Sequence, residues 1–161
     1  MINYSSRYSG LMTEINNQGH TLLSINGVWV SSNDAEVQSI IDSFDELIPA
    51  RVEAKKRIVD QSQAYMADVE AEYPSFEKAT WPTQKAEVEA WAIDNASPTP
   101  MLDNIAIARG MDRVTILSKA LIKVVSYNDY AASLAGKRQK LEDDIDNSTD
   151  LDFISSINFE A

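Results

Sequence analysis

A single histidine, His20, stands among 25 carboxylates in a chain of 161 residues that has no cysteine. That inventory limits the chemistry. Without cysteine there is no disulfide, no thiolate zinc site and no cysteine nucleophile. One histidine falls short of the two or more that a histidine-based metal site normally uses, so no metal is expected, and no other cofactor. His20 follows Gly19 and precedes an apolar run, with no Asp close by to orient it as the base of a triad, and reads as a loop residue. The five glycines form neither G-x-G-x-x-G nor G-x-x-x-x-G-K-[ST], so no phosphate cradle is present. The run Glu142-Asp143-Asp144-Ile145-Asp146-Asn147 lacks the central Gly and terminal Glu of an EF-hand loop. Paired carboxylates can serve a glycosidase as acid and base, but 25 acidic residues make pairs unavoidable by chance. The cluster from Glu142 to Asp152 reads as a solvated face. The chain is therefore read as a non-enzyme. The opposing reading, a small hydrolase, would demand a polar cleft with perturbed carboxylates.

The aromatic residues carry a different message. Trp81 and Trp91 occupy helical positions and read as core. Trp29 lies in a β-rich run, Val28-Trp29-Val30-Ser31, that follows a second run, Thr21-Leu22-Leu23-Ser24-Ile25, across Asn26-Gly27. Asn-Gly between two such runs predicts a hairpin, because both turn residues need positive φ. A two-stranded ribbon has two free edges and little core of its own. It packs either on the helix that follows or on another protein by strand addition.

Composition sets the wider frame. The chain is long enough for one domain, or one domain with a small appendage. Its 44% hydrophobic content is that of a globular protein. A net charge of −11 repels nucleic-acid backbones and anionic lipid, so neither is expected as a partner, and it attracts basic protein surfaces. The plainer reading of the charge is solubility alone. Met1–Gly10 shows no basic and apolar signal-peptide pattern, and the apolar runs are too short to cross a bilayer.

The elements that must position these residues divide near Pro49. Residues 1–48 form a small hairpin-plus-helix module, and residues 49–161 a helical bundle domain. In the first, Leu11, Met12 and Ile15 have helical spacing that Gly19 would stop, and Asn33 with Glu36 has capping-box spacing. The helix so opened, Asp34 to Phe44, places Val37, Ile40, Ile41 and Phe44 on one face. This module carries one basic residue, Arg7, against six acidic ones. In the second, Val52, Val59, Met66 and Tyr73 recur at sevens, with Ile58, Tyr65 and Val69 beside them, until Pro74. Thr80 caps a helix opening at Trp81-Pro82, which turns Val88 and Trp91 inward. Thr99 and Pro100 open a short helix whose Met101, Leu102, Ile105, Ala106 and Ile107 cover most of its circumference, so it is expected to be buried, and Gly110 caps its end. Asp112 caps the longest helix, which runs to about Asp146. Its stripe is Val114, Leu117, Leu121, Val124 and Val125, continued by Tyr127, Leu134 and Leu141, with Gly136 marking a close neighbour or a break. A last helix carries Leu151, Phe153, Ile154 and Ile157. The fold class expected is mainly α: an antiparallel helical bundle with a small N-terminal hairpin-containing module. Sevenfold spacing lets the long helices pair within the chain or between copies as a homo-oligomer.

From about Ala50 to Phe159 the chain resembles a helical domain of tail-fibre assembly and tail-associated proteins of bacteriophages. The resemblance lies in Glu72-Tyr73-Pro74, in Trp81 followed by Gln84, Glu87, Glu89 and Trp91, in Pro98-Thr99-Pro100-Met101-Leu102-Asp103, in Ala108-Arg109-Gly110 and in Gly136-Lys137-Arg138-Gln139. Val37-Gln38-Ser39-Ile40-Ile41-Asp42 is similar to the segment that often leads into it. These motifs determine fold and bring no functional residue with them. What the resemblance implies is a tail-fibre assembly chaperone or allied tail accessory protein, working without nucleotide, in the host bacterial cytoplasm during assembly. The alternative is a structural component of the virion tail or baseplate, a linker or decoration. An acidic mimic directed at a basic host protein is a further reading that charge alone permits. The expected partner is a tail fibre or other tail protein. The contacts expected are Val28, Trp29 and Val30 on the strand edge and Phe153, Ile157 and Phe159 in the terminal segment.

Overall fold

The computed structural model describes Ile2, Tyr4 and residues 10–160; Arg7, the one basic residue of 1–48, lies outside them. The chain is mainly α, with a two-stranded antiparallel hairpin near its start, as its patterning predicts. The elements are α1 (Gly10–Asn17), β1 (Leu22–Ile25), β2 (Val28–Ser31), α2 (Asp34–Ser43), α3 (Leu47–Ala71), α4 (Ser75–Lys78), α5 (Trp81–Ile93), α6 (Pro100–Arg109), α7 (Arg113–Asn147) and α8 (Leu151–Ser156). No helix among the described residues is long and apolar enough to cross a membrane.

Packing groups these elements into two compact units, residues 1–60 with 140–159, and 61–139 with 160–161. A boundary at 48/49 marks where mixed elements give way to helices in sequence. The packing grouping follows where segments touch, and so draws 140–159 to the first unit.

The first unit is built around Leu11 and Ile15 of α1, Leu22 of β1, Val37 and Ile40 of α2, and Ile2. Ile41 and Phe44 complete the α2 face that its spacing predicts. Asn33 is the N-cap of α2: its side-chain oxygen accepts from the Ala35 and Glu36 N–H groups, and its amide donates to Glu36 at 2.7 Å. Gly10 lies so close to Pro49 that an added Cβ would meet the proline ring at 3.0 Å. The start of α3 and the end of α7 run antiparallel, tied by Arg51 donating to the Ser148 carbonyl and by Lys55 paired with Asp146 at 2.6 Å. Asp150 caps α8, accepting from the Asp152 and Phe153 N–H groups.

The second unit centres on Val88 of α5, Leu102 and Ala106 of α6, and Ile116 and Leu117 of α7, with Trp91, Ile105, Leu121 and Val124 against them. Gly110 takes φ 61° and closes α6, its N–H reaching the Ala106 and Ile107 carbonyls. Asp112 opens α7 by accepting from the Thr115 N–H at 2.9 Å.

Several expectations are corrected. On α3 the inward stripe is Ala50, Ala54, Ile58 and Ser62, while Val52 and Val69 face out. Small residues that let a neighbouring helix approach closely do not stand out in a hydrophobicity pattern. On α6, Ile107 is exposed, so the helix is buried on one face only. On α7, Val114 and Val125 are exposed and Ile116 is buried instead. Thr80 does not accept from the first turn of α5; its hydroxyl donates to the Glu77 carbonyl and accepts from Gln84. Gly136 marks neither a break nor a close neighbour: α7 runs through it, and an added Cβ would meet nothing within 4 Å.

Candidate functional site

The hairpin turns on Asn26 and Gly27, both at positive φ (53° and 79°). Those angles suit the tight two-residue turn whose twist matches its strands. The register pairs Leu22 with Ser31, Leu23 with Val30, Ser24 with Trp29 and Ile25 with Val28. Side chains alternate faces along a strand. Leu22 and Trp29 therefore share one face, and Leu23, Ile25, Val28 and Val30 share the other.

The inner face is occupied. Leu22 is buried in the first unit's core, and Trp29 packs against that core with its ring 4.5 Å from Tyr4. The hairpin thus packs within its own unit, and Trp29 is its anchor rather than a free contact. The outer face is open: Leu23, Ile25, Val28 and Val30 are 59%, 53%, 52% and 47% exposed. Cross-strand pairing makes them one contiguous aliphatic patch, two side chains by two. Single exposed apolar residues are ordinary, whereas a contiguous patch marks a place for binding. Sequence reasoning placed Val28 and Val30 here but missed Leu23 and Ile25. The register joins them, and it was legible from the Asn-Gly turn.

A polar clamp closes the base of the ribbon. The Ser32 N–H donates to the Thr21 carbonyl, and Ser32 Oγ accepts from the Thr21 N–H, both at 3.0 Å. Ser32 Oγ lies 3.3 Å from His20 Nδ1, and His20 Nε2 lies 3.4 Å from Glu36. Sequence reasoning found no acid for His20; the fold supplies Glu36 from α2. The order serine, imidazole, carboxylate is that of a triad, but recognition of a triad rests on roles. Here Ser32 Oγ already holds a backbone N–H of the opposite strand. The three side chains tie β1 to β2 and both to α2.

The terminal candidates separate. Phe153 is 40% exposed, but Ile157 and Phe159 are buried. Arg57 donates to the Ile157 and Ile154 carbonyls at 3.0 Å and fastens this segment within the first unit. The apolar surface of Ile157 and Phe159 is already occupied by the chain itself.

In the second unit an open groove of about 340 Å³ lies between α3 and α7, lined by residues that include Ser62, Met66, Glu70, Leu134 and Arg138. Glu70 accepts from the Tyr127 hydroxyl at 3.0 Å and pairs with Lys78 at 3.6 Å. Burial, then Glu70, push the Tyr127 phenol above its ordinary value. Tyr127 also meets the Trp81 edge at 5.7 Å, and Trp81 meets Tyr73 at 5.2 Å. These contacts hold α3, α5 and α7 together. Among the described residues no group of three or more His, Cys, Asp or Glu is placed to hold a metal ion.

No protein-family model matches the chain, and neither a curated protein nor a solved structure is similar to it.

Proposed function

We propose that the chain is a protein-binding module that acts as a bacteriophage tail-fibre assembly chaperone or allied tail accessory protein, through non-covalent contact alone. The observation that carries the binding role is the outer hairpin face: four aliphatic side chains in two cross-strand pairs, backed by a half-buried Trp29 and a clamped base. The tail context comes from the motifs between Ala50 and Phe159. Unassembled tail fibres are β-rich and expose strand edges and apolar tips. Such surfaces aggregate unless covered. A small acidic protein that covers them keeps them soluble until assembly.

The test is co-expression with a β-rich tail-fibre chain from the same genome. With wild type, the fibre chain stays in the soluble fraction. With Leu23→Ser/Val30→Ser, it falls into the pellet although the variant itself stays folded. Equal fibre solubility with and without this chain would overturn the chaperone role.

A further inference from the structure

We propose that the outer hairpin face takes one class of occupant, an uncharged strand face of a partner protein bordered by Lys and Arg. The inference rests on the protein-binding reading above and specifies the partner's chemistry.

The centre of the site carries no charge. Residues 21–33 contain no Asp, Glu, Lys or Arg in a chain that is 24% charged. The surroundings are one-signed. No Lys or Arg occurs from residue 8 to residue 50, where there are six carboxylates. Residues 1–60 and 140–159 together hold 14 acidic and 6 basic side chains, a net of −8; the rest of the chain holds 11 and 8, a net of −3.

The three described lysines of this unit are each paired with one of its own carboxylates. Lys55 is paired with Asp146 and Lys140 with Asp144, each at 2.6 Å, and Lys56 with Asp60. Arg51 and Arg57 donate to backbone carbonyls near α8, and the net of −8 already counts both of them. Glu14, Asp34 and Asp42 accept hydrogen bonds from the neutral side chains of Gln18, Ser31 and Gln38, and no described cation pairs with them. An apolar patch on a unit of net charge −8 favours an apolar patch on a basic partner surface.

A second copy of this chain fits poorly. It would set −8 against −8.

The experiment uses the full chain and two labelled peptides read by fluorescence anisotropy. Both have a Thr-Val alternating core; one is flanked at each end by Lys-Lys, the other by Glu-Glu. The Lys-flanked peptide binds about tenfold tighter or more at low salt, and the ratio falls towards one as salt screens the field. Leu23→Ser/Val30→Ser abolishes its binding while the variant still unfolds cooperatively in urea, with its midpoint only slightly shifted. Equal binding of the two peptides, no binding of either, or binding that survives the double variant overturns the proposal. So does a dimer seen in sedimentation velocity that the double variant removes. If the peptides fail while the fibre chain is still kept soluble, the partner's chemistry is wrong and the chaperone reading stands. If the Lys-flanked peptide binds and the fibre chain is not kept soluble, the surface stands and the tail assignment fails.

Discussion

Glu87 does more for this fold than its type suggests. From α5 its two carboxylate oxygens accept the Met101 and Leu102 N–H groups at 2.9 and 3.0 Å, at the N-terminus of α6. These are N–H groups that an α-helix leaves without internal partners, and a carboxylate there also meets the positive end of the helix dipole. Thr99, expected to cap α6, is buried and donates to Asp103 at 2.9 Å while accepting from Arg113 at 2.8 Å. Arg113 also reaches Asp103 and the Ser97 carbonyl, so the Pro-Thr-Pro corner is locked to the start of α7. Glu87→Ala is expected to destabilise the chain by about 1–2 kcal/mol, as loss of a good cap does, measurable as a lower urea midpoint. The sequence could not show this, because the cap comes from another helix and no local pattern links Glu87 to Met101. Asp112 was legible, because its partner Thr115 is three residues on. The Thr115 hydroxyl first, then its backbone N–H, hold the Asp112 carboxyl below its ordinary value. A lowered carboxylate stabilises the fold above its unfolded pKa, and that contribution is lost as pH falls through the folded value. Asp112→Ala should therefore be less stable than wild type near neutrality. The gap between them should close as unfolding is repeated into the acid range. A gap that persists there would place the effect elsewhere.

At the scale of elements, α7 and the hairpin separate folding from function. Gly136 sits inside α7 with open space where a Cβ would be. Gly136→Ala should stabilise by roughly 0.5–1 kcal/mol, the helical cost of glycine removed; a loss of stability would mean that the close neighbour the sequence suggested is real. The two faces of the hairpin should likewise divide. Trp29→Ala removes the larger of the two apolar side chains on the inner face and is expected to cost about 2–4 kcal/mol. Leu23→Ser/Val30→Ser alters only the outer face and should shift stability by less than about 1 kcal/mol. Differential scanning calorimetry on the three variants checks the ranking. The hairpin itself was legible to the residue, because Asn-Gly fixes turn, register and alternation together. The phase of α3 was not. Its inward positions include Ala50, Ala54 and Ser62, and Val52 drew the predicted stripe to the opposite side. Helices contacted by small residues hide their core from any pattern that scores hydrophobicity.

Across the whole molecule, charge is unevenly held, with the unit that presents the aliphatic face carrying most of the excess acid. Composition announced the excess, but only packing shows which residues share a unit, because 140–159 joins 1–60 from the far end of the chain. The proposed binding places a partner protein on the outer hairpin face. Amide hydrogen exchange is followed along the chain alone and in the complex purified after co-expression with the fibre chain. Added protection concentrated between Leu23 and Val30 is the expected result, and Leu23→Ser/Val30→Ser is expected to yield no soluble complex. Protection that falls instead on α8 or the exposed side of α7, or none at all while the two proteins co-migrate, would contradict it.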